Sequence, residues 1–308
     1  MPNMSVFGIL LISCLLFTAT ANAEVVRQDS SAAVDFSPTG KGWGEPPVLG
    51  SSGTVTKAAR VGSNGISYHG GPLILGTSHA YYIWYGNWSG NTATMILSNF
   101  AAALGGSAYY HINTTYTNGS GTSVTNAVQL VSSSIDNYSQ GSVLTDASVN
   151  AIVTNALNTG ALAKDTNAVY FVLTSADVTE TSGFCTQYCG WHSHASIDSL
   201  DIKYAFVGNP DQCPSACEAQ TVSPNGNAGA DGMASIIAHE FEEAVTDPDL
   251  NAWYDSRGQE NADKCAWTFG TSYVTSNGSL ANMSLGGANY LIQQNWVNAG
   301  GGYCALSY

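Results

Sequence analysis

Positive charge is what this 308-residue chain has least of: eight Lys and Arg stand against 22 Asp and Glu, for a formal net charge of −14. A balance of that sign argues against nucleic acid or an anionic membrane as a partner. Long apolar runs are lacking too. The most apolar one, Ser5 to Phe17, is too short for the roughly 20 residues that span a bilayer, and no later stretch replaces it. There is no Gly-x-Ser-x-Gly elbow. The Gly-rich run Pro224–Gly232 lacks the Gly-Lys-Ser/Thr ending of a phosphate loop and reads as a turn into a helix. No internal repeat is visible. No cysteine lies between Cys14 and Cys185, so crosslinking belongs to the C-terminal half.

What is present begins with an export signal. The run from Ser5 to Phe17 leads into Ala21-Asn22-Ala23, a small-x-small cleavage site, so residues 1–23 read as a signal peptide removed before Glu24. The mature chain is then expected to be secreted and extracellular, without a membrane span. Cys14 leaves with the signal. The other six, Cys185, Cys189, Cys213, Cys217, Cys265 and Cys304, form an even set that in an oxidising compartment reads as up to three disulfides of open connectivity. A four-cysteine zinc site from the two C-x3-C pairs is the less favoured alternative. Residues 24–65 hold four of the eight basic residues and little apolar periodicity, as a flexible N-terminal arm or propeptide would.

A folded domain is expected over 66–308. His79 to Trp88 is aromatic and β-branched, hence a strand. Asn91 to Leu104 carries Met95, Ile96, Phe100 and Leu104 on one helical face and is stopped by two glycines. Thr145 to Leu162 reads as a second helix, with Asp146 as its cap. Ala168–Leu173 and Lys203–Gly208 are apolar runs suited to buried strands. This order predicts an α/β or α+β fold, a single layered domain with a mixed sheet and a disulfide-stapled C-terminal half.

The chemistry is concentrated between Asp231 and Asp263, where nine carboxylates face one base, Arg257. That segment is the place for a cation. Asp231 as N-cap and Pro248 as terminator bracket a helix whose buried stripe is Met233, Ile236, Ile237, Phe241, Ala244 and Val245. His239 and Glu243 lie one turn apart on one face, with Glu240 beside the histidine. This is the layout of the zinc-hydrolase motif His-Glu-x-x-His, in which the first and last residues bind metal and the Glu is the general base. Here Glu243 stands where the second His would be. Carboxylate is an accepted zinc ligand, but the change hardens the site and moves its preference toward Mn²⁺ or Ca²⁺. Glu260 is the expected third ligand, with Asp263 and Asp255 as alternatives, and a disulfide at Cys265 would pin that segment.

The other signals are weaker. His192 and His194 share one side of a strand and are able to complete a metal site, although a polar loop beside a disulfide is the plainer reading. His69 reads as structural. Two non-catalytic functions also fit: a wall-binding module presenting Trp84, Trp88 and Trp191 to carbohydrate, and a structural Ca²⁺ site built from the carboxylates of 240–263. The partner of a catalytic site would be a peptide or a cell-wall polymer.

Several long blocks resemble the Exordium, or phosphate-induced protein 1, family. They are Tyr68-His-Gly-Gly-Pro-Leu, Tyr82-Ile-Trp-Tyr-Gly-Asn-Trp, Val172-Leu-Thr-Ser-Ala-Asp-Val, Phe184-Cys-x3-Cys-Gly-x-His192, Phe206-Val-Gly-Asn-Pro-Asp-Gln-Cys-Pro-Ser-Ala-Cys217 and Ser223-Pro-Asn-Gly-x4-Ala-Asp-Gly-Met233. The resemblance implies an extracellular or apoplastic protein linked to growth and the cell wall, without an established activity. Ala238 to Pro248 departs from it. Plant members resemble an Ala/Leu/Gly-rich stretch ending in Thr-Asn-Pro there, whereas this segment is similar over about ten residues to the active-site helix of thermolysin-type zincins. The departure implies a metal site that the plant branch lacks, in a zincin-like helix.

Overall fold

The computed structural model describes Met1, residues 37–41 and residues 65–308. The chain divides into Met1–Val34 and Asp35–Tyr308. Only Met1 of the first unit is described, and the second is the subject below. The expected signal peptide and most of the expected arm lie outside the described residues.

The second unit is built on a five-stranded sheet. Its strands are β1 (Ser78–Tyr85), β2 (Val128–Asp136), β3 (Ala168–Thr174), β4 (Gly190–Ile197) and β5 (Leu200–Val207), in the spatial order β2-β1-β3-β5-β4. The first four in that order run parallel and β4 is antiparallel to β5, so the sheet is mixed, as the sequence pattern predicts. All seven residues of β3 are buried, as a central parallel strand covered on both faces requires. Cross-strand register assigns the faces. Tyr82, Phe171, Ala205 and His192 lie in one row across β1, β3, β5 and β4, so they share one face of the pleat.

Three main helices cover the sheet: α1 (Ala93–Leu104), α2 (Asp146–Asn158) and α3 (Ala228–Thr246). The Tyr82 hydroxyl donates to the Leu97 carbonyl in α1, and Phe171 packs edge-on against Phe241 of α3. These two helices therefore lie over the row that includes His192. The neighbouring row holds Tyr81 stacked on Tyr170, whose hydroxyl donates to the Ala163 carbonyl just beyond α2. Hence α2 covers the opposite face.

Several boundaries differ from expectation for local reasons. The first strand stops at Tyr85 because Gly86, at φ 96°, turns the chain. Met95 points outward while Leu97 and Ala101 join the buried face of α1. Thr145, not Asp146, caps α2 by accepting from the Ser148 N–H at 3.2 Å. Helix α3 starts three residues earlier than Asp231, because Asn227 caps it through the Ala230 N–H at 3.0 Å. Asp231 instead accepts from Asn225.

All six remaining cysteines pair: Cys185–Cys213, Cys189–Cys217 and Cys265–Cys304. The four-cysteine zinc alternative is thereby excluded. The first two bridges tie the lead into β4 to the turn Pro214–Cys217, and the third ties the segment after α3 to the C-terminus. Closed loops of this size contribute roughly 3–4 kcal/mol each in the chain-entropy account. Residues 37–41, part of the expected arm, lie on the free edge of β4. The Gly40 carbonyl accepts from the His192 N–H at 2.9 Å, and Lys41 Nζ donates to Asp146 Oδ2 at 2.7 Å and Ser182 Oγ at 2.6 Å.

Candidate metal centre

Helix α3 crosses the sheet where β4 begins. The crossing is close because Gly190 has no side chain: a Cβ there would stand 2.9 Å from the Phe206 carbonyl oxygen and 3.0 Å from Glu240 Oε1, and closer still to Ile236. The contact forms one wall of a cleft lined by Tyr188, Gly190, His239, Glu240, Trp267 and Gln293. A second depression continues from it past Ile236, Trp267 and Gln293.

At the cleft, His239 Nε2 lies 3.1 Å from Glu243 Oε1 and 3.6 Å from Asp263 Oδ1. The first pair follows from helical spacing, as the sequence pattern predicts. The second depends on the loop after α3, which is fastened to the helix at two points. The Asp263 N–H donates to Glu243 Oε1 at 2.9 Å, and Asn261 Nδ2 donates to the Glu242 carbonyl at 3.0 Å. Potential ligand atoms of His239, Glu243 and Asp263 all lie within 4.8 Å of one another, and all three residues are buried.

Glu260, the expected third ligand, does not face His239. Its two oxygens each lie 3.2 Å from His192 Nε2. Asp263 stands beside His239 instead, its N–H held by Glu243, while Glu260, three residues earlier, meets His192 of β4. Asp255 joins neither group. Its Oδ2 accepts from Lys264 Nζ at 3.0 Å and its Oδ1 from the N–H groups of Arg257 and Gln259, so it organises its own loop.

His192 is the residue whose importance the sequence understated. It sits in a regular strand, fully enclosed, with Nε2 3.8 Å from Glu243 Oε2. The available signal was the alternation Gly190, His192 on one face of a strand, with small and polar residues where a helix must approach. His194, two residues on, meets Asp201 at 3.1 Å and Asp249 at 3.7 Å. That group already holds a cation, since Lys203 Nζ is 2.6 Å from Asp201 Oδ2. His69 is structural as expected, stacked on Tyr254 at 3.6 Å between ring centroids.

The electrostatics are those of buried acids short of positive charge. Burial pushes Glu240 and Glu260 well above the ordinary carboxylate range, and neighbouring carboxylates push both further. Burial and the Asp263 charge raise Glu243 to about 7. Burial alone opposes charge on His239, but Glu243 and Asp263 outweigh it and hold its pKa well above the usual value. His192 is driven down to about 3, by burial first and then by the other two histidines. Glu240 Oε2 and Glu243 Oε2 are buried without a hydrogen-bond partner, a costly state that a bound cation relieves. One histidine and two carboxylates suit zinc, and the oxygen content also admits Mn²⁺ or Ca²⁺.

Trp84, Trp88 and Trp191 are 5%, 9% and 2% exposed. They pack in the core and present no face to a sugar, which removes the aromatic platform expected of a carbohydrate-binding module.

The family model described as the phosphate-induced protein 1 conserved region matches residues 66–296. Protein EXORDIUM-like 3 of Arabidopsis thaliana is 32% identical over 270 residues, covering 75% of this chain and 80% of its own length. Protein EXORDIUM-like 5 of the same plant is 30% identical over 272 residues, with 75% of each chain covered. Protein PHOSPHATE-INDUCED 1 of Nicotiana tabacum is 26% identical over 264 residues, covering 73% of this chain and 80% of its own. No solved structure matches.

Proposed function

The chain belongs to the phosphate-induced protein 1 family, and we propose that this member is an exported metal-dependent hydrolase, with a peptide as its substrate. The observation that carries the reading is the meeting of His239, Glu243 and Asp263 at a cleft wall, with Glu240 beside them. His239, Glu243 and Asp263 would hold the ion. A divalent ion there supplies Lewis acidity toward a carbonyl oxygen and lowers the pKa of water.

Glu240 is the general base. It takes a proton from water as the water oxygen bonds to the carbonyl carbon, and returns it to the amide nitrogen as the C–N bond breaks. Gly190 keeps Glu240 against the cleft wall, and Trp267 and Gln293 bound the space a substrate would enter. Export is supported by three disulfides.

Metal analysis of the oxidised full chain, followed by a Glu240→Gln variant, tests the reading. The expected result is zinc or manganese in the wild type, metal kept in the variant, and peptide hydrolysis lost. A wild type that takes up neither zinc nor manganese overturns it. The carboxylate excess favours one competing role, a structural Ca²⁺ site. An ion held by six or more oxygens, with no hydrolysis, would establish that role instead.

A further inference from the structure

We propose that His192, Glu243 and Glu260 hold a second divalent cation, so that the centre is dinuclear and Glu243 is its bridging carboxylate. This deepens the metal-dependent reading above and rests on it. The second set is as compact as the first: its potential ligand atoms also lie within 4.8 Å of one another, and all three residues are buried.

The case begins with the division of the Glu243 carboxylate. Oε1 is engaged with His239 and with the Asp263 N–H. Oε2 points the other way, 3.8 Å from His192 Nε2, and has no hydrogen-bond partner although the side chain is 0% exposed. An ionised oxygen enclosed in protein without a donor is a costly arrangement unless a cation meets it. The two Oε atoms of Glu260 straddle His192 Nε2 at 3.2 Å each. Equal separations of this size also suit a chelating carboxylate and an imidazole nitrogen set around one ion. Carboxylate-bridged pairs place their ions about 3.5–4 Å apart, and the two oxygens of one Glu243 side chain are the natural bridge for that spacing.

Charge leads to the same place. One divalent ion at His239 answers Glu243 and Asp263 but leaves the Glu260 carboxylate enclosed against His192. The nearest lysine in sequence, Lys264, is directed to Asp255. The protein's fold also prepares the site from two sides: β4 fixes His192 by its register with Ala205, and the loop tied to α3 fixes Glu260. His192 and Glu260 are shut from solvent while His239 borders the cleft. The inner ion therefore enters past the outer position and leaves more slowly.

Counting ions decides the matter. The oxidised full chain is loaded with Mn²⁺ or Zn²⁺, dialysed and analysed for metal per chain, in parallel with His192→Ala, Glu260→Gln and His239→Ala, each checked for its fold by circular dichroism. The expected stoichiometry is two in the wild type and one in His192→Ala and in Glu260→Gln. With Mn²⁺, the wild type gives the spin-coupled resonance of a bridged pair and the two inner-site variants give the signal of an isolated ion. One ion in the wild type, unchanged in the inner-site variants and lost in His239→Ala, overturns the second site and leaves the mononuclear hydrolase standing; His192 and Glu260 then share a proton. No ion in the wild type overturns both readings.

Discussion

The backbone N–H of Asp263 donates to Oε1 of Glu243 at 2.9 Å, across 20 residues of chain. That one bond aligns the loop after α3 with the helix and brings the Asp263 carboxylate, rather than that of Glu260, to His239. Under the proposed function it predicts the order of effects at a cleft-side ion. Asp263→Ala removes a ligand and should weaken that ion by more than the roughly 10–100-fold that outer partners are worth, whereas Glu260→Gln should leave its affinity within about that range. Competition titration with a zinc indicator measures both. Equal losses, or the reverse order, would return Glu260 to the outer site.

Gly190 is where β4 touches α3, and Gly190→Ala should destabilise the protein by about 1–3 kcal/mol through overpacking. Phe206, Ile236 and Glu240 are the atoms in the way. Denaturant unfolding of the metal-free chain measures the loss. A neutral result would mean that α3 moves aside at no cost, and the cleft wall would not be fixed.

Gly40 lies against the edge of β4 at φ 67°, a conformation L side chains rarely adopt, and a Cβ there would collide with the His192 carbonyl oxygen. Gly40→Val should therefore detach residues 37–41 and speed hydrogen exchange at the His192 amide, with β3 unchanged. Unaltered exchange at His192 would count against the bond to Gly40.

Glu218 and Asp211 form a carboxyl pair of their own. Burial, then the Asp211 charge, raises Glu218 from 4.5 to about 7. The folded state thus binds a proton that the unfolded state releases. This contribution is complete below about pH 4.5 and is lost as pH rises to about 7. Wild-type Tm should fall across that window by more than the Tm of Glu218→Gln. Parallel curves would show that the pair shares no proton.

The Cys265–Cys304 bridge closes onto the loop that carries Asp263. Replacing both cysteines by serine should cost about 2–5 kcal/mol of stability and weaken the cleft-side ion more than loss of a remote bridge would. Calorimetry and the same indicator titration follow the two effects.

Elements whose identity is set by local pattern were legible in the sequence. The run from Ala168, buried on both faces, the two glycines after α1 and the i, i+4 pair His239 and Glu243 follow from periodicity and stop signals alone. Caps were misplaced by one to four residues because Thr145 and Asn227, rather than the aspartates that follow them, take the free N–H groups of the first turn. Which acid stands beside His239 was not legible. Glu260 and Asp263 were both candidates three residues apart, and the bond from the Asp263 N–H to Glu243 sets Asp263 there. His192 was harder still, because its partners are 51 and 68 residues away in sequence and only strand register brings it under α3. The three tryptophans misled for the opposite reason, since an aromatic-rich segment reads alike as an exposed platform and as core.

The two bridges at β4 stand as adjacent rungs, joining positions 185 and 189 to 213 and 217 in the same order, with Sγ of Cys213 and Cys217 only 3.6 Å apart. Their reduction would leave four thiols in one patch, a soft donor set that competes strongly for zinc. Protein recovered from a reducing cytoplasm would thus carry an ion in the wrong place and return a misleading metal count. Redox state must be fixed before stoichiometry has meaning for this chain.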